Sequence, residues 1–248
     1  MTLRLIDVQQ SILKKNGTLA RELRERFKES GTYVVNLLSS PGAGKTTLLE
    51  ATLGALRPAL RVAALVGDQA TENDAVRLAR SGAPVKQIVT GAECRLDAQM
   101  IERALAGWDL GEPDLLAIEN VGNLICPAEY DLGEDLRVVV FSVTEGEDKP
   151  LKYPLAFNTA DIALVTKTDL AEATGFDRST ALENIRRVHP GIIIIELSAR
   201  TGAGMDLWLA FLTTHITRKR RTEDRPTPAP MLRQAQHDKK QTPAPLSS

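Results

Sequence analysis

Seven short runs of Val, Ile and Leu recur along the chain with few polar interruptions, at residues 33–38, 61–66, 85–89, 114–119, 137–143, 162–166 and 192–197. A strand with one wet face alternates apolar and polar side chains, whereas a continuous apolar run suits a strand covered on both faces. Between the runs, apolar residues return at helical spacing over 45–57, 71–81, 96–106, 178–188 and 204–218. Alternation of this kind predicts an α/β fold: a mostly parallel sheet with right-handed crossovers and helices on both faces. In such sheets the chemistry gathers at the carboxyl ends of the strands.

The loop after the first run reads Ser39-Ser40-Pro41-Gly42-Ala43-Gly44-Lys45-Thr46-Thr47 and opens directly into a helix. This is a phosphate-binding loop (P-loop). Gly42 and Gly44 let backbone N–H groups wrap phosphates, Lys45 meets the β/γ charge, and the Thr46 hydroxyl suits Mg²⁺. Ser39 stands where the pattern has its first glycine. Three carboxylates are candidates to complete a magnesium site: Glu119 at the end of LLAIE, and Asp68 and Asp74 in GDQATENDAVR after the second run. An acid at a strand's carboxyl end, facing the phosphate loop, is where the water shell of magnesium is held in this architecture.

Thr166-Lys167-Thr168-Asp169 closes the sixth run and matches the guanine-reading pattern Asn-Lys-x-Asp, with Thr for Asn. Guanine presents a paired N1–H and N2–H₂ donor edge, so a carboxylate at Asp169 can accept both while the Lys167 stem covers the ring. Ser198-Ala199-Arg200, after the last run, suits a loop whose backbone amide meets guanine O6. Each of these motifs ends a strand, in chain order behind the phosphate loop, and together they favour GTP over ATP.

The flanks differ from this core. Residues 1–30 read as an N-terminal helical extension, one or two amphipathic helices with Leu19, Leu23 and Phe27 on the apolar side. Residues 31–217 form the nucleotide-binding domain. Residues 218–248 are rich in Pro, Thr and charge, and predict a disordered tail that cannot offset its ordering entropy. That tail carries eight Lys/Arg against three Asp/Glu, so the preceding residues hold a net −6 within the chain's overall −1. A core of that sign gives no reason to expect a nucleic-acid partner. No apolar run approaches the roughly 18–20 residues of a membrane span, and the N-terminus lacks the apolar stretch of a signal peptide. A cytoplasmic protein without a membrane partner is expected. Two cysteines, Cys94 and Cys126, are too few for a disulfide scaffold and leave buried thiols, metal ligands or redox groups open.

Four segments, SSPGAGKTTLLE, TGAECRLDAQMI, AIENVGNLICPAEYDLGE and SVTEGEDKPLKYP, together resemble the nickel-incorporation GTPases of hydrogenase maturation (HypB type). These belong to the dimerising, SIMIBI-like branch of P-loop GTPases. The resemblance covers roughly residues 15–217, and ENVGNLICPAEYDLGE is its most specific piece. It implies a GTP-hydrolysing metallochaperone that forms a homodimer on GTP, holds Ni²⁺ or Zn²⁺ at the subunit interface, and passes nickel toward the hydrogenase large subunit with an accessory protein. A metal-binding adaptor with incidental GTP turnover, and a related GTPase serving urease or a cobalamin-dependent mutase, are the alternatives.

In such proteins a Cys-His pair and a second Cys bind the interface metal. Cys94 and Cys126 match the two cysteines, but Arg95 occupies the histidine position. An N-terminal cysteine cluster and a His-rich stretch, present in some members, are absent. Two such thiols from each subunit would make a four-thiolate set, which favours Zn²⁺ over a labile mixed-ligand nickel site. Glu93 or Asp97 could supply oxygen ligands instead. Asn123, with no Gln after ENVG, implies slow intrinsic hydrolysis. Lys149 and Lys152, in TEGEDKPLKYP, are candidates to reach the nucleotide of a neighbouring subunit.

Overall fold

The structure is a computed structural model that describes residues 2–69, 73–108 and 113–223. All seven expected strands form: β1 (Tyr33–Ser39), β2 (Val62–Asp68), β3 (Val85–Val89), β4 (Leu115–Gly122), β5 (Leu136–Ser142), β6 (Ile162–Thr166) and β7 (Ile193–Glu196). They make one sheet in the order β3-β2-β4-β1-β5-β6-β7, and every pairing is parallel. β1, buried along its whole length, lies between β4 and β5. The loops leaving β1, β2, β4 and β6 therefore open at the same edge of the sheet.

Helices cover both faces. α1 (Thr2–Glu29), α2 (Lys45–Leu56), α3 (Asn73–Ala79), α4 (Ala98–Leu105), α8 (Arg178–Val188) and α9 (Met205–Glu223) carry most of the packing. Short α5 (Lys149–Lys152), α6 (Pro154–Asn158) and α7 (Ala171–Thr174) fill the crossovers near β6. One core lies under α2 and α9, where fully buried Trp208 packs among Leu37, Leu53 and Leu164. Its indole N–H donates to Thr52 Oγ1 at 3.0 Å, so the ring's one polar group is satisfied. Burying side chains of this size contributes about 2–3 kcal/mol each.

The N-terminal extension is one helix. Its buried stripe is Ala20, Leu23 and Phe27, packed against Val34, Ala63, Ile101 and Leu132, with Leu19 only partly covered. Asn16 Oδ1 accepts from Ala98 N at 2.8 Å and its amide donates to Asp131 O at 2.8 Å, tying α1 to the start of α4. At the other end, α9 continues beyond residue 217 to Glu223, and Lys219 bonds Thr32 O and Asp135. The expected tail from 224 onward lies outside the described residues. Among the described residues, no helix is long and apolar enough to cross a membrane.

Candidate functional site

The phosphate loop begins where β1 ends. Gly42 and Gly44 adopt φ of 76° and 98°, values in the left-handed region that disfavour any side chain, and α2 starts at the next residue, Lys45. Lys45 is buried and its ammonium donates to Ser39 Oγ at 2.7 Å. The serine at the first glycine position thus holds the lysine within the loop. Burial pulls the Lys45 ammonium below its ordinary value, against the pull of Glu119, Asp74 and Glu145. Gly122 lies so close that a Cβ there would stand 3.2 Å from Pro41, so β4 packs directly on the loop.

Three of the expected metal-site residues meet. Thr46 Oγ1 lies 2.7 Å from Glu119 Oε1 and 3.0 Å from Asp74 Oδ1. A hydroxyl has one proton to give, so two ionised carboxylates around it leave one contact unsatisfied. Desolvation raises the Glu119 carboxyl to about 7, against the Lys45 charge and the Thr46 hydrogen bond, which lower it. Its second oxygen, Oε2, is buried without a hydrogen-bond partner. A buried carboxylate with an orphaned oxygen, beside a hydroxyl and a second acid, is a donor set that a hard divalent cation fits. Asp68, at the end of β2, lines the same cavity of about 510 Å³, with Oδ1 accepting from Gln69 N at 2.6 Å.

A second cavity, of about 240 Å³, adjoins it and is lined by Lys167, Asp169, Ser198, Ala199 and Arg200. The two base-reading segments therefore converge as expected, and the lining also includes Gly44 and Thr47 of the phosphate loop and α2. The Thr166 hydroxyl donates to Ala43 O at 2.7 Å and ties the end of β6 to the phosphate loop. Lys167 is the one non-glycine residue at positive φ (56°) among the described residues, a conformation that costs on the order of 1 kcal/mol or more. Its ammonium donates to Gly42 O at 2.6 Å, and its stem runs past Gly44 at 3.7 Å from where a Cβ would lie.

The cysteines belong to a different region. Cys94 lies in the loop after β3, and Cys126 opens a 3₁₀ turn, Cys126–Glu129. Both are free and partly exposed. They are neighbours: the Cys94 thiol is the first cause of the raised Cys126 pKa, ahead of burial, with Asn123 and Arg95 acting the other way. Asn123 also bridges the two loops, its amide donating to Cys94 O at 3.4 Å. Arg95, at the expected histidine position, packs over the Tyr130 ring at 4.0 Å and pairs with Glu93 at 2.5 Å.

Neither expected oxygen donor stands free. Glu93 holds that arginine, and Asp97 is the N-cap of α4, accepting from Met100 N at 2.8 Å. His189 and His215 bond the carbonyls of Phe157 and Phe211, and His237 lies outside the described residues. No group of three or more His, Cys, Asp or Glu that could hold a metal occurs among the described residues.

The two candidate lysines also separate. Lys149 is largely buried, its ammonium in an ion pair with Glu145 at 3.2 Å and 4.9 Å from the Tyr153 ring centre. Lys152 is exposed and pairs with Asp148 at 2.6 Å. Residues beyond the expected set also take part. Arg77 on α3 lines the phosphate cavity, one turn after Asp74, a spacing visible in the sequence. Asn120 is buried beside Glu119 and accepts from Leu96 N at 3.1 Å, a contact across 24 residues that no local pattern announces.

A parallel sheet with a phosphate loop after β1, an acidic hydroxyl cluster beside it and a base cavity after β6 and β7 defines a P-loop nucleotide-binding protein. Residues 33–196 match the family described as CobW/HypB/UreG, nucleotide-binding domain. The hydrogenase maturation factor HypB of Azotobacter vinelandii is 50% identical over 209 residues, covering 84% of this chain and 69% of that one. The crystal structure of HypB from Helicobacter pylori in complex with nickel superposes with a TM-score of 0.77 at 38% identity, covering 84% of this chain and 97% of that one. The chain belongs to this family, in its HypB-type branch. The fold alone is shared with the signal recognition particle receptor FtsY from Elizabethkingia anophelis, at a TM-score of 0.51 and 16% identity over 81% of this chain and 73% of that one.

Proposed function

We propose that this chain is a GTPase metallochaperone of hydrogenase maturation, whose nucleotide cycle drives delivery of nickel. The observation that carries the reading is the pair of adjoining cavities, one at the phosphate loop and one holding Asp169. Their size and chemistry suit a guanine nucleotide. HypB-type relatives at 50% identity are hydrogenase maturation factors, and one relative's structure holds nickel.

In this reading Asp169 accepts from the guanine donor edge, the Lys167 stem covers the ring, and backbone amides of residues 198–200 approach O6. Backbone N–H groups from Gly42 to Thr47 cradle the phosphates. Lys45 leaves Ser39 to neutralise the β/γ oxygens. Thr46, Glu119 and Asp74, with Asp68 nearby, would hold Mg²⁺. Bound there, Mg²⁺ supplies neutralisation of the charge that builds on the transferring phosphoryl group. A cation held there would favour the ionised form of the Glu119 carboxyl, opposing the effect of burial. Asn123 rather than Gln follows ENVG, so slow hydrolysis, quickened by dimerisation or a partner, is part of the proposal.

Nickel is cargo, and among the described residues the thiols that one subunit offers it are Cys94 and Cys126. Two subunits together would present four thiolates, a set that binds Zn²⁺ tightly and Ni²⁺ less readily. A GTP-dependent homodimer is therefore part of the proposal, with the accessory protein and hydrogenase large subunit as onward partners. Titration with Ni²⁺ and Zn²⁺, with and without a non-hydrolysable GTP analogue and with mass recorded in solution, tests it. One metal per dimer, lost in Cys94→Ala or Cys126→Ala protein, is expected. A nucleotide-bound dimer that takes up neither metal would remove the cargo role.

A further inference from the structure

Arg77 has a place in the nucleotide site that the phosphate-binding pattern does not require. It lines the phosphate cavity from α3, and its Nη2 donates to Thr47 Oγ1 at 2.9 Å. Thr47, with Gly44 and Lys167, borders both the phosphate cavity and the base cavity. A nucleotide that spans the two must pass this threshold with its ribose and the phosphate nearest the ribose.

The same helix makes a second, parallel contact. Asp74, three residues earlier, meets Thr46 as Arg77 meets Thr47, and residues three apart share a helix face. One face of α3 thus presents a carboxylate to the hydroxyl of the candidate metal site and a guanidinium to the next residue along. The remaining contact of Arg77 is loose: Glu50 lies 3.8 Å away, and both side chains are about a third exposed. An exposed pair at that distance contributes little, so redirecting the guanidinium toward a phosphate costs little.

We propose that Arg77 is a nucleotide-binding residue that bonds the phosphate nearest the ribose, so that the site distinguishes nucleotides from nucleosides before any γ-phosphate is considered. The inference rests on the guanine-nucleotide reading above. A planar guanidinium with several N–H donors suits phosphate oxygens better than an ammonium does, and Thr47 holds it at the threshold.

Calorimetric titration of the full chain with GDP and with guanosine tests this, using GDP so that hydrolysis does not enter. Arg77→Ala should weaken GDP binding by about tenfold or more, the loss of one charge-assisted hydrogen bond, and leave guanosine unchanged. Arg77→Lys should recover part of the loss, and Thr47→Val should show a smaller one. GDP affinity in Arg77→Ala within twofold of the unmodified protein would overturn the proposal. So would an equal loss for guanosine, which would mean a general disturbance of the cavity. Unmodified protein that binds no guanine nucleotide would sink the functional reading and this inference together, and that result appears before any variant is made.

Discussion

The nucleotide site and the cysteine loop lie on the same sheet but are completed differently. Around Thr46 the chain brings together a lysine, two carboxylates and a hydroxyl within one buried corner. Around Cys94 it brings two partly exposed thiols and a cation turned toward Tyr130. In the first region lysine, carboxylate and hydroxyl groups of a single chain already lie within hydrogen-bond distance of one another. On the metallochaperone reading, the second would hold half of a tetrahedral set, with the other half supplied by a second copy of the chain. A buried site can be built by one core; a shared site needs an accessible edge.

The largest expected effect breaks the first region and spares the second. Lys45→Ala should lower GTP hydrolysis by on the order of a hundredfold or more, as loss of a preorganised cation at a phosphoryl site does. Phosphate release measures this, while reaction of Cys94 and Cys126 with a thiol reagent should be unchanged. A parallel change in thiol reactivity would show that the two regions are not separable.

A second effect appears in pH. Burial holds the Glu119 carboxyl at about 7 against 4.5 in an unfolded chain. Between those values the folded state binds more protons than the unfolded one, so this group's contribution makes stability fall as pH rises from about 4.5 to 7 and level off above. Glu119→Gln removes the titration. Melting temperatures of the nucleotide-free protein between pH 5 and 8 should fall for the parent relative to this variant, and parallel curves would exclude the assignment.

The smallest effect probes where the regions touch. Leu96 follows the cysteine segment, and its side chain fills the space above Gly67, where a Cβ would stand 2.7 Å from it. Gly67 precedes Asp68 of the phosphate cavity. Gly67→Ala should cost about 1–3 kcal/mol through overpacking, read by denaturant unfolding. Gly67 itself lines the phosphate cavity, so the displacement of Leu96 should register in both regions, as altered reactivity of the thiols and a modest loss in GDP binding.

Much of this was legible in the sequence, and the reasons are physical. β1, β2, β4, β5 and β6 are buried on both faces and nearly continuously apolar, so they could be read directly. The edge strands β3 and β7 are half exposed and were legible from their Val and Ile content alone. The phosphate-loop and base-reading motifs are short contiguous segments, so each could be recognised without the fold. The helices α5 and α6 were hidden, since each is under six residues and carries a Pro in its first turn, which leaves too little length for a period. Asp97 read as a metal ligand because a helix cap and a ligand both call for a carboxylate in a loop. The contacts of Arg77 with Thr47 and of Asn120 with Leu96 join residues 30 and 24 positions apart. Only the fold brings them together.

The bond from the Thr166 hydroxyl to Ala43 O has a consequence for selection. It fixes the span between the cavity lined by Asp169 and the phosphate loop. The protein therefore carries a ruler. On the guanine-nucleotide reading, a ligand with the right head and tail but the wrong length between them would seat one end and not the other.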